Sequence, residues 1–102
     1  MRARYAAFAL LLADYLIETT HSQGPAFEID RKAWKASILR FSKATDFCGL
    51  EIIASDVSEE RGEVTFRAKL MQGTKDASFT EHSHFLHQAG RWTYLSGTIL
   101  DR

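Results

Sequence analysis

The sequence predicts an α+β domain in which N-terminal helices pack on a curved, four-stranded antiparallel sheet. The first half of the chain has apolar residues at helical spacing, and from Gly49 onward the apolar period changes to two. Polar turns that contain glycine separate the later segments, as in a meander of neighbouring strands. A chain of 102 residues is long enough for one domain, residues 1–102, with a buried core.

The composition excludes several classes of protein. The 13 Lys and Arg balance the 13 Asp and Glu, and 45% of the residues are hydrophobic. A neutral chain has no general attraction for nucleic acid or anionic membranes, and this hydrophobic content argues against disorder. The single cysteine, Cys48, excludes an intramolecular disulfide and has no motif partner that would make it a nucleophile. We therefore expect a cytoplasmic protein with no nucleic-acid partner and no membrane partner.

The first predicted element is an amphipathic helix. Its apolar stripe consists of Tyr5, Phe8, Leu12, Tyr15 and Leu16. The basic start imitates a secretory signal, but the apolar run is short, lacks a cleavage site and cannot span a bilayer. Asp14 is placed to cap a second helix, so the helix is expected either to be buried on more than one side or to break near Asp14.

A loop and a further amphipathic helix follow. Residues 21–30 contain Gly24 and the only proline, Pro25, and they end at Asp30, which is predicted to cap the helix. The apolar face of that helix consists of Trp34, Ile38, Phe41 and Thr45. Its basic face is interpreted as a solvated surface, because no aromatic platform or glycine-rich loop accompanies it as in nucleic-acid sites.

Four strands are predicted after the helices. They cover residues 50–58, 63–72, 76–88 and 91–100. The second strand alternates cleanly, with one face for the core and one for water. The core face of that strand consists of Val64, Phe66, Ala68 and Leu70.

Glu81 is the residue that is most informative about function. It lies between Phe79 and Ser83 on the predicted core face of the third strand. Burial of a carboxylate raises its pKa, which is one way that proteins make general acids and bases. The architectural interpretation is an ion pair with Arg2 or Arg4 that fixes the helices on the sheet. The sequence favours the ion pair and keeps acid or base chemistry as the alternative.

His82 and His84 lie side by side on the opposite face of the third strand. Two imidazoles can bind a metal, but a site needs a third ligand, and the neighbouring Thr65, Arg67 and Lys69 offer none. We therefore predict no metal site, and we prefer an exposed surface or a dimer interface.

The fourth strand places Trp92 and Tyr94 on one face. Aromatic residues on a core face usually pack, and packing is the preferred interpretation. If the sheet curls around the helices, Trp92, Tyr94, Phe79 and Glu81 line a pocket with apolar walls and few polar groups, as is typical of small-molecule sites.

Six segments together resemble a known family. They read MRARYAAF at 1–8, DYL at 14–16 with TH at 20–21, GLEI at 49–52, GEVTFRA at 62–68, EHSHF at 81–85, and GRWTY at 90–94 with Gly97. In this order and spacing they resemble the middle domain of YchJ-type bacterial proteins, a branch of the nuclear transport factor 2-like superfamily. The resemblance covers nearly the whole chain and implies that superfamily's cone-shaped α+β fold.

The resemblance implies less about function, because the family is largely uncharacterised. Its members commonly flank this domain with cysteine-rich SEC-C segments that bind zinc, and we expect neither zinc nor partner binding through such segments here. Thr20 stands where the family often has tryptophan. The family-typical residues are Arg2, Arg4, Tyr5, His21, Glu81, Ser83, Phe85, Arg91, Trp92, Tyr94 and Gly97.

Two functions follow from the residues and the resemblance. The favoured one is a non-enzymatic module that binds a small molecule or a protein partner without a cofactor or metal. It is expected to form a homodimer through the solvent-exposed face of the sheet. The alternative is a cofactor-independent isomerase, dehydratase or hydrolase with Glu81 as acid or base, assisted by Tyr94. An arginine-bound Glu81 favours the module, and an open apolar setting favours the enzyme. The pocket candidates are Arg4, Tyr5, His21, Phe79, Glu81, Trp92 and Tyr94.

Overall fold

A computed structural model describes residues 1–101 of the chain, with side chains described as far as Leu100. The helices are α1 (Arg2–Ala9), α2 (Ala13–Glu18) and α3 (Arg31–Lys43). The strands are β1 (Asp46–Val57), β2 (Arg61–Gln72), β3 (Lys75–Asp76), β4 (Phe79–Gln88) and β5 (Arg91–Asp101). The α+β class and the order of helices before strands are confirmed. Within the described residues, no helix is long and apolar enough to cross a membrane.

The N-terminal helical region breaks earlier than predicted. Leu11 has a φ of 62°, in the left-handed region, so the chain turns there and α2 begins at Ala13. Asp14 therefore lies in the first turn of α2, and the predicted cap at Asp14 is wrong. Its carboxylate instead accepts a hydrogen bond from Lys35 Nζ of α3 at 3.2 Å, because the side chain points outward from the helix.

The predicted cap of α3 is confirmed. Asp30 Oδ1 accepts a hydrogen bond from the N–H of Ala33 at 3.0 Å, which satisfies one free donor of the first turn. Trp34 and Ile38 are buried on one face of α3, as the apolar spacing predicts. The opposite face is exposed, and Arg31 contributes to the ion pairs with α2.

Among the described residues the sheet has five strands rather than four, in the order β1-β2-β4-β5, with β3 paired to β2. The predicted third strand is interrupted between Asp76 and Phe79. There Ser78 Oγ accepts a hydrogen bond from the N–H of Leu70 at 3.0 Å, so a side chain replaces the backbone of the ladder. The first strand also begins earlier than predicted, at Asp46.

A β-bulge in β5 determines which residues face the helices. The pairing with β4 passes from His84–Ser96 to Phe85–Tyr94, which leaves Leu95 without a register partner. A bulge reverses the alternation of side chains and bends the strand. As a result, Tyr94 and Gly97 lie on the same concave face of the sheet although they are three residues apart.

Within residues 1–100 the buried apolar residues form two clusters. The helical cluster consists of Ala7, Ala13, Leu16, Ile17, Trp34 and Ile38. The sheet cluster consists of Phe66, Ala68 and Leu70 of β2, with Met1 and Tyr5 of the N-terminal segment packed against it. The backbone after α2 joins the two layers, because Tyr94 N–H donates to Thr19 O at 2.7 Å and His21 N–H donates to Tyr94 O at 2.8 Å. The space between the layers contains the candidate site.

Candidate functional site

Two adjoining pockets lie between the N-terminal segment and the concave face of the sheet. The first has a volume of about 290 Å³ and mainly aromatic walls. Its lining includes Tyr5, Phe8, Phe41, Phe47, Phe66, Phe79 and Glu81. The second has a volume of about 320 Å³, and its lining includes Tyr15, Val64, Phe85 and Trp92. Met1, Arg4 and Tyr94 line both pockets and form the boundary between them.

Glu81 is the only carboxylate in the lining of the first pocket, among the residues that the structure describes. Its Oε2 atom accepts a hydrogen bond from Ser83 Oγ at 2.5 Å and another from Tyr94 Oη at 3.0 Å. Within residues 1–100, neither Arg2 nor Arg4 forms an ion pair with Glu81, so the predicted architectural ion pair is absent there. The carboxylate is fixed through one oxygen by two hydroxyls, and no described side chain donates to Oε1.

Gly97 gives Glu81 the space that this arrangement needs. A Cβ atom added at Gly97 would overlap Oε2 of Glu81 and would lie 2.5 Å from Oη of Tyr94. The carboxylate therefore crosses directly over the backbone of β5. No larger residue fits at this position without moving Glu81 or Tyr94.

Arg4 is held beside the carboxylate by the helices. Its Nη1 donates to Thr19 Oγ1 at 2.9 Å and to Leu16 O at 3.4 Å, and its guanidinium lies 4.6 Å from the ring centroid of Tyr94. This cation–π contact orients the ring whose hydroxyl binds Glu81. Burial lowers the pKa of Arg4, and the negative charge of Glu81 is among the opposing contributions.

Tyr94 acts as a hydrogen-bond donor in this network. Burial raises the pKa of Tyr94 above its ordinary value of about 10, and the charge of Glu81 and the hydrogen bond to it raise the pKa further. Arg4 opposes this shift. The phenol therefore stays protonated at neutral pH and donates to the carboxylate.

The structure brings together five of the seven predicted pocket residues in the first pocket or its boundary. They are Arg4, Tyr5, Phe79, Glu81 and Tyr94. Trp92 lines the second pocket, where its ring stacks on that of His87 with 4.8 Å between centroids. His21 lines neither pocket. Its Nε2 lies 3.0 Å from Gln88 Oε1, and its Nδ1 accepts from the N–H of Gln23, because the chain leaves α2 along the outer edge of β5.

Sequence reasoning missed Thr19, the hydroxyl that positions Arg4. Its hydrogen bond to Arg4 depends on the angle between α1 and α2, which is determined by the turn at Leu11. No local sequence pattern predicts that angle. Thr19 lies two residues before the family-typical His21, which is the one signal that could have directed attention to this segment.

The cavity can hold a small molecule against aromatic walls and a fixed carboxylate. In the described part of the chain, the one group of three side chains with metal-binding donors lies on the other face of the sheet, at Glu63, His82 and His84. The polar groups in the cavity are therefore suited to hydrogen bonding and proton transfer.

Comparison with known proteins identifies the domain. Residues 1–97 match the protein family described as YchJ, middle NTF2-like domain. The chain belongs to the YchJ middle-domain family. One relative, UPF0225 protein YchJ of Shigella dysenteriae serotype 1 (strain Sd197), is 36% identical over 101 residues, which cover 96% of this chain. The chain spans 62% of the length of that curated relative.

Two solved structures of SEC-C motif containing proteins resemble this YchJ-like domain. The protein from Rhodopseudomonas palustris is 33% identical with a TM-score of 0.80, and the match covers 99% of this chain and 76% of that one. The protein from Psychrobacter arcticus is 27% identical with a TM-score of 0.70, and the match covers 100% and 59%. The predicted family and its NTF2-like fold are thus confirmed, and the family is one of uncharacterised UPF0225 proteins.

Proposed function

We propose that this YchJ-like domain binds a small, largely apolar molecule whose hydrogen-bond donor meets Glu81. One observation carries the proposal. The carboxylate of Glu81 lies in the wall of an aromatic pocket, and no described arginine forms an ion pair with it. Two hydroxyls donate to its Oε2 atom, and no described group donates to Oε1. A charged acceptor in an apolar pocket gains most from a ligand that supplies a donor.

The size and lining of the pocket limit the ligand. A volume of about 290 Å³ is at the small end of the range of ligand pockets, so it admits a molecule of about one ring with a short substituent. The aromatic walls favour an apolar body. Since Ser83 and Tyr94 already bind Oε2, the ligand's hydroxyl or ammonium group is expected at Oε1.

Benzylamine and benzyl alcohol test this proposal as matched probes. Both have a ring for the walls and a donor for Glu81, but only benzylamine carries a positive charge at neutral pH. We expect chemical-shift changes at Phe79, Glu81 and Tyr94 in NMR titrations with both probes. Glu81→Gln should weaken the binding of both probes, benzylamine by about tenfold and benzyl alcohol by less. The carboxylate accepts a charge-assisted hydrogen bond from either donor, and it also attracts the positive charge of benzylamine.

The control variant is Glu51→Gln, which removes the same charge from an exposed position of β1. It should bind both probes as the wild type does. Binding of benzylamine that is equal in Glu81→Gln and Glu51→Gln, or shift changes confined to the outer face of the sheet, would contradict the proposal.

The second candidate is a cofactor-independent enzyme in which Glu81 transfers a proton. The setting of Glu81, in an apolar pocket without a described arginine partner, is the one expected above for an enzyme. Tyr94 supports this candidate as a protonated phenol that hydrogen-bonds the carboxylate. Incubation of a bacterial metabolite extract with the wild type, Glu81→Gln and Glu51→Gln, followed by mass spectrometry, distinguishes it from binding alone. An enzyme consumes a metabolite with the wild type and Glu51→Gln only, and a binding domain consumes none.

The expectations of a homodimer, a protein partner and a cytoplasmic location stay predictions. Analytical ultracentrifugation tests the first of them. The proposed pocket is formed within one chain, so it does not depend on the oligomeric state.

A further inference from the structure

The outer face of the sheet carries a cluster of donor atoms that the pocket does not use. His82 and His84 of β4 lie beside Glu63 of β2, with ligand atoms that all lie within 4.8 Å of one another. Glu63 Oε1 is 2.8 Å from His82 Nε2 and 3.7 Å from His84 Nδ1. Glu63 belongs to the same face as Thr65 and precedes it by two residues, so it supplies the third ligand that sequence reasoning did not find.

We propose that Glu63, His82 and His84 bind a divalent first-row metal ion of the Zn²⁺ class. Two imidazole nitrogens and one carboxylate oxygen are a donor set that Zn²⁺ prefers, and three protein ligands leave a position for water or another ligand. Zn²⁺ bonds of about 2.0–2.1 Å at tetrahedral angles separate two ligand atoms by about 3.3 Å. That distance lies between the 2.8 Å that separates Glu63 Oε1 from His82 Nε2 and the 4.8 Å within which all the ligand atoms of the cluster lie.

The strand pairing holds the three side chains in place. Glu63 is the register partner of His84, and Thr65 is the partner of His82, so the residues occupy neighbouring positions of one ladder. The Oγ1 atom of Thr65 lies 2.7 Å from Nδ1 of His82. That hydrogen bond orients the ring with Nε2 towards Glu63, as a hydrogen bond to the other ring nitrogen does in metal-binding histidines.

The surroundings leave room for the remaining ligand. A depression of about 240 Å³ lies next to the cluster, with Asp56, Thr65 and His82 in its lining. Asp56 is the register partner of Glu63 in β1, so its negative charge lies on the same face of the sheet. All three proposed ligands are partly exposed, which allows an ion to enter from solvent.

Titration of the full chain with Zn²⁺ and Co²⁺ tests the site. We expect one Zn²⁺ per chain by calorimetry, and the intense visible absorption of four-coordinate Co²⁺, which Zn²⁺ abolishes. Glu63→Gln and His84→Gln should each weaken Zn²⁺ binding about 100-fold or more, and Thr65→Val about tenfold. None of the three substituted side chains is buried in the core, and circular dichroism of each metal-free variant checks that it folds.

Two controls separate this cluster from other donors. His87→Gln removes an imidazole from the same strand, where its ring binds the carbonyl of Glu59 outside the cluster. Cys48→Ser removes the exposed thiol. Both should bind Zn²⁺ within about twofold of the wild type. The proposal is overturned if the wild type shows no saturable binding, if Glu63→Gln and His84→Gln bind like the wild type, or if Cys48→Ser alone abolishes binding.

Discussion

The hydroxyl of Tyr94 connects the polar groups of the pocket. It donates to Glu81 Oε2, and its ring supports the guanidinium of Arg4. A phenol in this position is favoured only in its neutral form, because the phenolate would face the carboxylate in a partly buried setting. Tyr94 is therefore both a structural contact and a source of pH dependence.

The raised pKa of Tyr94 predicts a loss of stability in alkali. In the unfolded chain the phenol ionises near pH 10, whereas in the folded domain it keeps its proton to higher pH. The unfolded state then binds fewer protons, so the free energy of unfolding falls as the pH rises above about 10, and the contribution is fully present below that value. Urea unfolding from pH 8 to 11 should show this fall in the wild type and a smaller one in Tyr94→Phe. Tyr15→Phe is the control, and equal slopes for wild type and Tyr94→Phe would refute the interpretation.

Individual site residues differ in how far the sequence reveals them. Glu81 could be identified because strand alternation places it among apolar residues, and that depends only on its own strand. Its partner could not be predicted, because a choice between Arg4 and Tyr94 depends on the bulge at Leu95 and on how α1 lies over the sheet. Glu63 was missed for a related reason, since its nearness to His82 is diagonal across two strands.

The bulge in β5 and the glycine that follows it form one structural device. Leu95 has no register partner, and the resulting bend places Tyr94 and Gly97 under the same carboxylate. The hydrophobic pattern of the sequence predicts a continuous strand here, because alternation does not report an extra residue in one strand of a pair.

Gly97→Ala should disturb this device. The added methyl group would overlap Oε2 of Glu81, so the carboxylate and the Tyr94 hydroxyl must move, and overpacking of this kind costs about 1–3 kcal/mol. Urea unfolding measured by tryptophan fluorescence gives the change in free energy.

Gly49→Ala is a matched control in β1, because its Cβ would lie 3.7 Å from the nearest side-chain atom of Lys69. We expect a change below about 0.5 kcal/mol for the control. A loss for Gly97→Ala no greater than that would show that the close contact is not maintained in solution.

The helices illustrate where local signals succeed. Asp30 caps α3 as predicted, because capping depends on one side chain and three following residues. The first helix ends at Ala9, earlier than the break that was predicted near Asp14, because Leu11 adopts a left-handed conformation that leucine rarely takes.

The domain consists of a helical layer and a sheet, each with its own buried cluster, and the pocket occupies the space where they meet. This division explains why fold class could be predicted while the site could be predicted only in part. Each layer has a periodic pattern, but the site depends on contacts between layers, such as those of Arg4 with Thr19 and Tyr94.

Leu16 tests how strongly the site depends on the helical layer. Its side chain is 1% exposed, and its carbonyl accepts hydrogen bonds from Thr20 and Arg4. Leu16→Ala should lower the free energy of unfolding by about 2–5 kcal/mol, through lost burial and the cavity left behind. That is a large share of the free energy of unfolding typical of a domain, roughly 5–15 kcal/mol. The helical layer would then be less rigid, so the variant should also bind benzylamine more weakly.

Leu10→Ala, at a position 67% exposed, should change stability by less than about 0.5 kcal/mol. If urea unfolding gives the same loss of unfolding free energy for the two variants, then burial of Leu16 in the helical layer does not stabilise the domain, and the cavity does not depend on it.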